Sequence, residues 1–135
     1  MWAGDFNWLA ILVSGLAVMV IGSAWYGAFS KPWMEAAGIS AQKEELKKGS
    51  AKMYMYTFLL ALITAIIMTR LINMADIEGL GQGLTLGFLL WLGFVWPVMI
   101  VNNMFQGKSK KLIFIDGGNQ LLNLLAIGLI LSAWR

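Results

Sequence analysis

The chain contains no cysteine and no histidine. These absences exclude disulfide bonds, thiolate nucleophiles, and Ser-His or Cys-His catalysis. They also remove the usual protein ligands of zinc, haem and iron–sulfur clusters. No basic face with interleaved aromatic residues is present, so we expect no nucleic-acid partner. We further expect no cofactor, no metal site and no enzyme activity.

Charge is scarce as well, because charged residues make up only 13% of the 135 residues, whereas hydrophobic residues make up 59%. A soluble domain carries about 25% charged residues, and a soluble chain this short could not enclose so much apolar surface. Four apolar segments lie at about residues 8–29, 54–73, 84–105 and 112–134. Each is long enough to cross a hydrocarbon layer of about 30 Å, and backbone groups in lipid must bond to one another. The sequence therefore predicts one all-α domain over residues 1–135, an integral membrane bundle of four transmembrane helices in contact with the lipid bilayer.

The lysines of the connections predict how the chain is oriented in the membrane. The first connection, about residues 30–53, contains five lysines, and the third contains three, whereas the second contains none. Because lysine and arginine collect on the cytoplasmic side, we expect an N-out/C-out protein of the cell (inner or plasma) membrane. The first connection is then a cytoplasmic loop, in which Ser40 is a candidate N-cap of a short surface helix.

Polar side chains in the apolar segments predict a cluster in the cytoplasmic half. Asp116 lies about 6 Å into the fourth helix at a rise of 1.5 Å per residue. The cluster is predicted to comprise Asp116, Asn119, Gln120 and Asn123 on one face of the fourth helix, Asn102 and Asn103 on the third, and Tyr26 on the first. Two interpretations stay open: hydrogen bonds that hold the helices together, or a hydrated cavity that binds a cation, a proton or a small polar molecule.

Small residues predict where helices approach one another closely. Gly15 and Gly22 are the expected packing positions of the first helix, and Gly83 and Gly87 those of the third. Four helices do not need all of the small-residue seams in the chain, so we expect some to serve self-association in a homo-oligomer. Pro97 is expected to kink the third helix, because proline removes one hydrogen bond of the helix ladder.

Several short motifs also resemble those of a known family. They are Asn7-Trp8, the run from Gly22 to Tyr26, the run from Lys31 to Met34, the run from Asn102 to Ser109, Lys111-Leu112, and the run from Gly128 to Trp134. On these motifs, over nearly its whole length, the chain resembles the prokaryotic membrane proteins grouped as domain of unknown function 1761. The resemblance implies a bacterial-type membrane protein of four helices, and it implies no particular activity.

These observations together favour a small, non-enzymatic, multi-pass membrane protein. We expect it to assemble with itself or to act as an accessory subunit of a membrane complex. The alternative is a small channel or transporter for an ion, a proton or a polar solute, which would use the polar cluster around Asp116.

The orientation gives the first testable prediction. Epitope tags fused to either terminus should be accessible to an impermeant reagent added to intact cells, because the lysine-rich connections stay in the cytoplasm. A tag inserted in the first connection is the control and should be labelled only after the membrane is opened. A protected N-terminal tag would contradict the N-out arrangement.

Overall fold

The described structure consists of helices and short connections. The computed structural model describes residues 6–29 and 43–134, with the backbone alone over residues 43–51. The helices are α1 (Trp8–Ala28), α2 (Lys43–Met74), α3 (Gly79–Gln106) and α4 (Lys110–Ala133). Four spans, one in each helix, are long and apolar enough to cross a membrane; in α2 this span begins at Lys52. Over the residues that the structure describes, the prediction of helices without strands, four of them long and apolar enough to span a membrane, is confirmed.

The helix boundaries differ from the predicted ones at two places. Helix α2 begins at Lys43 and not at about residue 54, and α3 begins at Gly79 and not at about residue 84. Hydropathy marks only the apolar part of a helix, whereas the Lys, Glu and Ala residues that precede residue 54 are good helix formers. The predicted loop over residues 30–53 is thus too long at its C-terminal side. Its residues 30–42, including the predicted N-cap Ser40, lie outside the described residues.

Side-chain caps define the ends of α1 and α4. Asn7 caps α1 by accepting a hydrogen bond from the Ala10 N–H at 3.1 Å, and its amide donates to the Trp134 carbonyl at 3.0 Å. One side chain therefore joins the start of α1 to the end of α4. At the other end, Gly107 ends α3 in the left-handed region (φ 67°), and Ser109 caps α4 by accepting from the Lys111 N–H. The left-handed conformation favours glycine at this position.

Helix α4 lies at the centre of the arrangement. It packs against α1, α2 and α3, whereas α3 packs mainly against α4. Helices α1 and α4 run antiparallel, because Asn7 meets Trp134 at one end and Tyr26 meets Asp116 at the other. We call these the Asn7 end and the Tyr26 end of the bundle.

The buried apolar core lies towards the Asn7 end. Helix α1 contributes Ala10, Ile11 and Val18; α2 contributes Ala61, Ala65, Met68 and Ile72; α4 contributes Leu124, Ile127 and Leu131. By contrast, no residue of α2 from Lys52 to Leu60 is buried. The first half of the apolar span of α2 therefore packs only loosely, with the half-buried Phe58 ring lying against Gly15 of α1, and the Tyr26 end is held together mainly by other contacts.

Glycines permit the close approach of α3 to α4. A Cβ atom on Gly87 would lie 2.5 Å from the Leu124 carbonyl oxygen, and one on Gly83 would collide with Gly128 and Ser132. In α1, a Cβ on Gly15 would lie 2.8 Å from the Phe58 ring of α2. The close approach expected at Gly22 is not observed, since a Cβ placed there would meet no atom of the described residues within 4 Å. Backbone contacts of this kind are typical of helix pairs that associate without a hydrophobic drive.

A π turn interrupts α3 just before its proline. Helix α3 comprises an α-helical segment Gly79–Leu90, a π turn Trp91–Val95 and a second α-helical segment Trp96–Gln106. The Trp96 N–H donates to the carbonyl of Trp91, five residues earlier. Pro97 lacks an N–H and would clash with the carbonyl four residues before it, so the π turn accommodates it. The irregularity predicted at Pro97 therefore lies mainly upstream of the proline.

The close contact of Gly83 and Gly87 with α4, which we call the glycine seam, predicts different effects of two substitutions in α3. Gly87→Ala should lower the free energy of unfolding by about 1–3 kcal/mol, because the added methyl meets the backbone of α4. Gly81→Ala is the matched control: its Cβ meets nothing within 4 Å, so it should be neutral or stabilising by up to about 1 kcal/mol. Unfolding in detergent, followed by tryptophan fluorescence, measures both. Equal stability of the two variants would contradict the seam.

Candidate functional site

The Tyr26 end contains a hydrogen bond between two helices. Tyr26, in the last turns of α1, donates its hydroxyl hydrogen to the Asp116 carboxylate of α4 at 2.6 Å. Both side chains are partly buried. The distance between these two oxygens is at the short end of the range for O–H···O hydrogen bonds. This pair therefore fixes the Tyr26 end of α1 against the first turns of α4.

Two amides extend this polar region along α4. Asn119 lies about one turn after Asp116, on the same face of α4. Asn123 lies one further turn along the helix, and both asparagines are buried. The Oδ1 atoms of Asn119 and Asn123 have no hydrogen-bond donor among the described residues and are enclosed by other atoms. An enclosed acceptor without a donor destabilises a fold by about 1–3 kcal/mol.

Two tryptophans bind the backbone of α4 on either side of Asp116. The Trp25 indole N–H donates to the Ile115 carbonyl at 2.8 Å, and the Trp91 indole N–H donates to the Gly117 carbonyl at 2.9 Å. A helix carbonyl has two lone pairs and can accept a second hydrogen bond beside its helical one. Helices α1 and α3 are thus each joined to α4, and the two carbonyls that accept these bonds belong to Ile115 and Gly117.

Glycines at positions 117 and 118 make room for the tryptophan rings. A Cβ on Gly118 would lie 2.8 Å from the Trp25 ring, and one on Gly117 would collide with the Trp96 ring. Trp96 stacks on Trp91 with the ring centroids 5.1 Å apart. The two glycines therefore let flat indole rings lie directly on the surface of α4.

The remaining predicted residues of the cluster lie elsewhere. Gln120 is exposed although its neighbours Asn119 and Asn123 are buried. Asn102 is exposed at the end of α3, and Asn103 donates to the Ser109 carbonyl in the α3–α4 connection. The structure thus joins Tyr26 of α1 to Asp116 of α4, with Asn119 buried one turn further along α4, and it does not bring Asn102 or Asn103 into the cluster.

The sequence reasoning missed the indole contacts. An aromatic residue near a helix end, such as Trp25, is expected to anchor the helix at the membrane interface, and nothing in the sequence pattern assigns a role to Trp91 or Trp96. The signal that was available is the Gly117-Gly118 pair beside Asp116 inside an apolar helix. Two adjacent small residues there indicate that bulky groups from neighbouring helices come close.

The site contains one hydroxyl group, indole and amide N–H donors and several acceptors, but no set of metal ligands among the described residues. In the part of the chain that the structure describes, no three acidic side chains gather as metal ligands would. The Asp116 carboxylate already accepts from Tyr26. The chemistry that this arrangement supports is hydrogen bonding between helices or with a polar guest.

Comparison with known proteins identifies a family. A family model described as protein of unknown function DUF1761 matches residues 9–132, which include all of the site residues named above. The chain belongs to this family, as its motifs led us to expect. No curated protein and no solved structure matches it.

The bond between Tyr26 and Asp116 gives a prediction on stability. In a double-mutant cycle, Tyr26→Phe and Asp116→Leu should show a coupling free energy of about 1–3 kcal/mol, since the bond is made to an acidic group. Tyr54→Phe is the control, because Tyr54 is 51% exposed and should show no coupling to Asp116. Unfolding in detergent measures each variant. Additive effects of the two substitutions would show that the bond contributes nothing.

Proposed function

We propose that this chain is a non-enzymatic, multi-pass protein of the cell membrane that acts by assembling with other membrane polypeptides. In this proposal all four apolar helices cross the bilayer and both termini lie outside. The partners are further copies of the chain or the subunits of a larger membrane complex.

The observation that supports this proposal is that the polar groups at the Tyr26 end form hydrogen bonds between helices. Tyr26 binds Asp116, Trp25 binds the Ile115 carbonyl and Trp91 binds the Gly117 carbonyl. Each of these groups joins one helix to another. A carboxylate that reacts or carries a solute would have to face a substrate, whereas Asp116 is engaged in holding α1 to α4. In this proposal the polar cluster holds the helices together, and the outer surface of the helices contacts the partners.

That outer surface is large. No residue of α3 from Trp96 to Gln106 is buried, and α3 makes few contacts beyond those with α4. In a bilayer, lipid covers apolar side chains without cost, so exposure alone does not indicate a partner. Helices in membranes nevertheless associate through close packing and interhelical hydrogen bonds, and the bundle offers such faces on α2 and α3.

A second function is favoured by one observation. The enclosed oxygens of Asn119 and Asn123 have no donor among the described residues, and water or a cation could supply what they lack. This arrangement supports passage of an ion, a proton or a small polar solute along α4. It requires the side chains to move, because both oxygens are enclosed.

Purification from native membrane distinguishes the two functions. We expect the protein to be isolated as an oligomer or with stoichiometric membrane partners, because close packing and interhelical hydrogen bonds drive association of helices in membranes. The same preparation in liposomes should show no ion or solute flux above that of empty vesicles. A monomer with no co-purifying polypeptide would contradict assembly. Flux that disappears in Asp116→Asn, in a protein that still folds, would establish the second function instead.

A further inference from the structure

Gln120 has an exposed amide side chain on a face of α4 whose other residues, one and two turns away, are mostly buried. Ile113 and Ile127 lie seven residues before and after it, and so share its face of the helix at about 3.6 residues per turn. Ile113 is 8% exposed and Ile127 is 1% exposed, whereas Gln120 is exposed. This face is therefore covered at two positions and uncovered between them, at the amide.

The depth of Gln120 makes this exposure costly in a bilayer. It follows Lys110 by ten residues in α4, which places it about 15 Å along the helix at 1.5 Å per residue. That is near the middle of a hydrocarbon layer of about 30 Å. In the described part of the chain the Gln120 side chain makes no hydrogen bond. In hydrocarbon, a primary amide without a partner leaves two N–H donors and one carbonyl acceptor without hydrogen bonds, which costs free energy.

We propose that Gln120 pairs with Gln120 of a second copy of this chain across a two-fold axis. This rests on the proposed assembly in the membrane and names its partner. An amide is both donor and acceptor, so two identical amides can satisfy each other reciprocally. A two-fold interface places the same surface of both copies in contact, which brings the two amides to the axis.

The surroundings of Gln120 leave space for the second copy. Residues 52–60 of α2 are not buried, and neither is any residue of α3 from Trp96 to Gln106. Both segments belong to the half of the bundle at the Tyr26 end. Trp91 and Trp96 of α3 lie on Gly117, three residues before Gln120, yet the Gln120 side chain itself is exposed. A helix of the partner can therefore reach the amide.

The absence of cysteine allows a direct test. Gln120→Cys provides a single thiol in the chain, and oxidation in native membrane should link two copies covalently. Leu122→Cys is the control: Leu122 is exposed but lies two residues further, about 200° round the helix. We expect a covalent dimer from Gln120→Cys and none from Leu122→Cys. The reverse pattern would overturn the proposal.

Substitutions that keep or remove the amide test its contribution. Gln120→Leu should weaken dimerisation in lipid by roughly tenfold, since two interhelical hydrogen bonds are lost. Gln120→Asn should keep much of the affinity, and Leu122→Ala should leave it unchanged. Single-molecule photobleaching in liposomes counts the copies. Unchanged dimerisation of Gln120→Leu would overturn the amide pair.

The outcomes separate this inference from the proposed function. A wild-type chain that is monomeric in lipid but co-purifies with a different membrane polypeptide overturns the two-fold pair and leaves the proposed assembly standing. A dimer whose thiol at position 120 does not link places the interface elsewhere on the chain and overturns this inference alone. A monomer without any partner overturns both.

Discussion

A hydrogen-bonding group among apolar helices must find its partner within protein, and α4 concentrates one carboxylate and three amides between Asp116 and Asn123. It supplies the carboxylate of Asp116, the amides of Asn119, Gln120 and Asn123, and two carbonyls that accept from indoles. It is also the helix that contacts each of the other three. The polar content and the central position are two aspects of one arrangement, since a helix with this many polar groups is stable in an apolar environment only where other helices surround it.

The two ends of the bundle are stabilised in different ways. At the Asn7 end, small and branched aliphatic side chains fill the space between α1, α2 and α4, and α3 approaches α4 through Gly83 and Gly87. At the Tyr26 end, aromatic side chains with polar tips make the contacts, and α2 takes little part. An indole or phenol combines a large apolar surface with one donor, so it can cover the backbone of α4 and satisfy an acceptor at once.

The number and character of the helices followed from the sequence because length and polarity are properties of each segment alone. The polar face of α4 was predicted for the same reason. The pairing of Tyr26 with Asp116, and the separation of Asn103 from both, depend on how far each helix is rotated and shifted against its neighbours. Periodicity within one helix contains no such information. Gly15 and Gly22 show this most simply: they share a face of α1, yet only Gly15 meets α2 closely.

The π turn in α3 sets the rotational phase between the two halves of that helix. A π turn amounts to one inserted residue in an α-helix, and each residue turns the helix by about 100°. Gly83 and Gly87 precede the turn, and Trp96 follows it, yet all three face α4. If Trp91–Val95 kept all its residues but formed regular α-helix, the second half of α3 would turn by about 100° relative to the first, and either the glycines or the indole of Trp96 would point away from α4. The π turn is therefore what allows one helix to apply two unlike surfaces, one flat and small and one broad and aromatic, to the same neighbour.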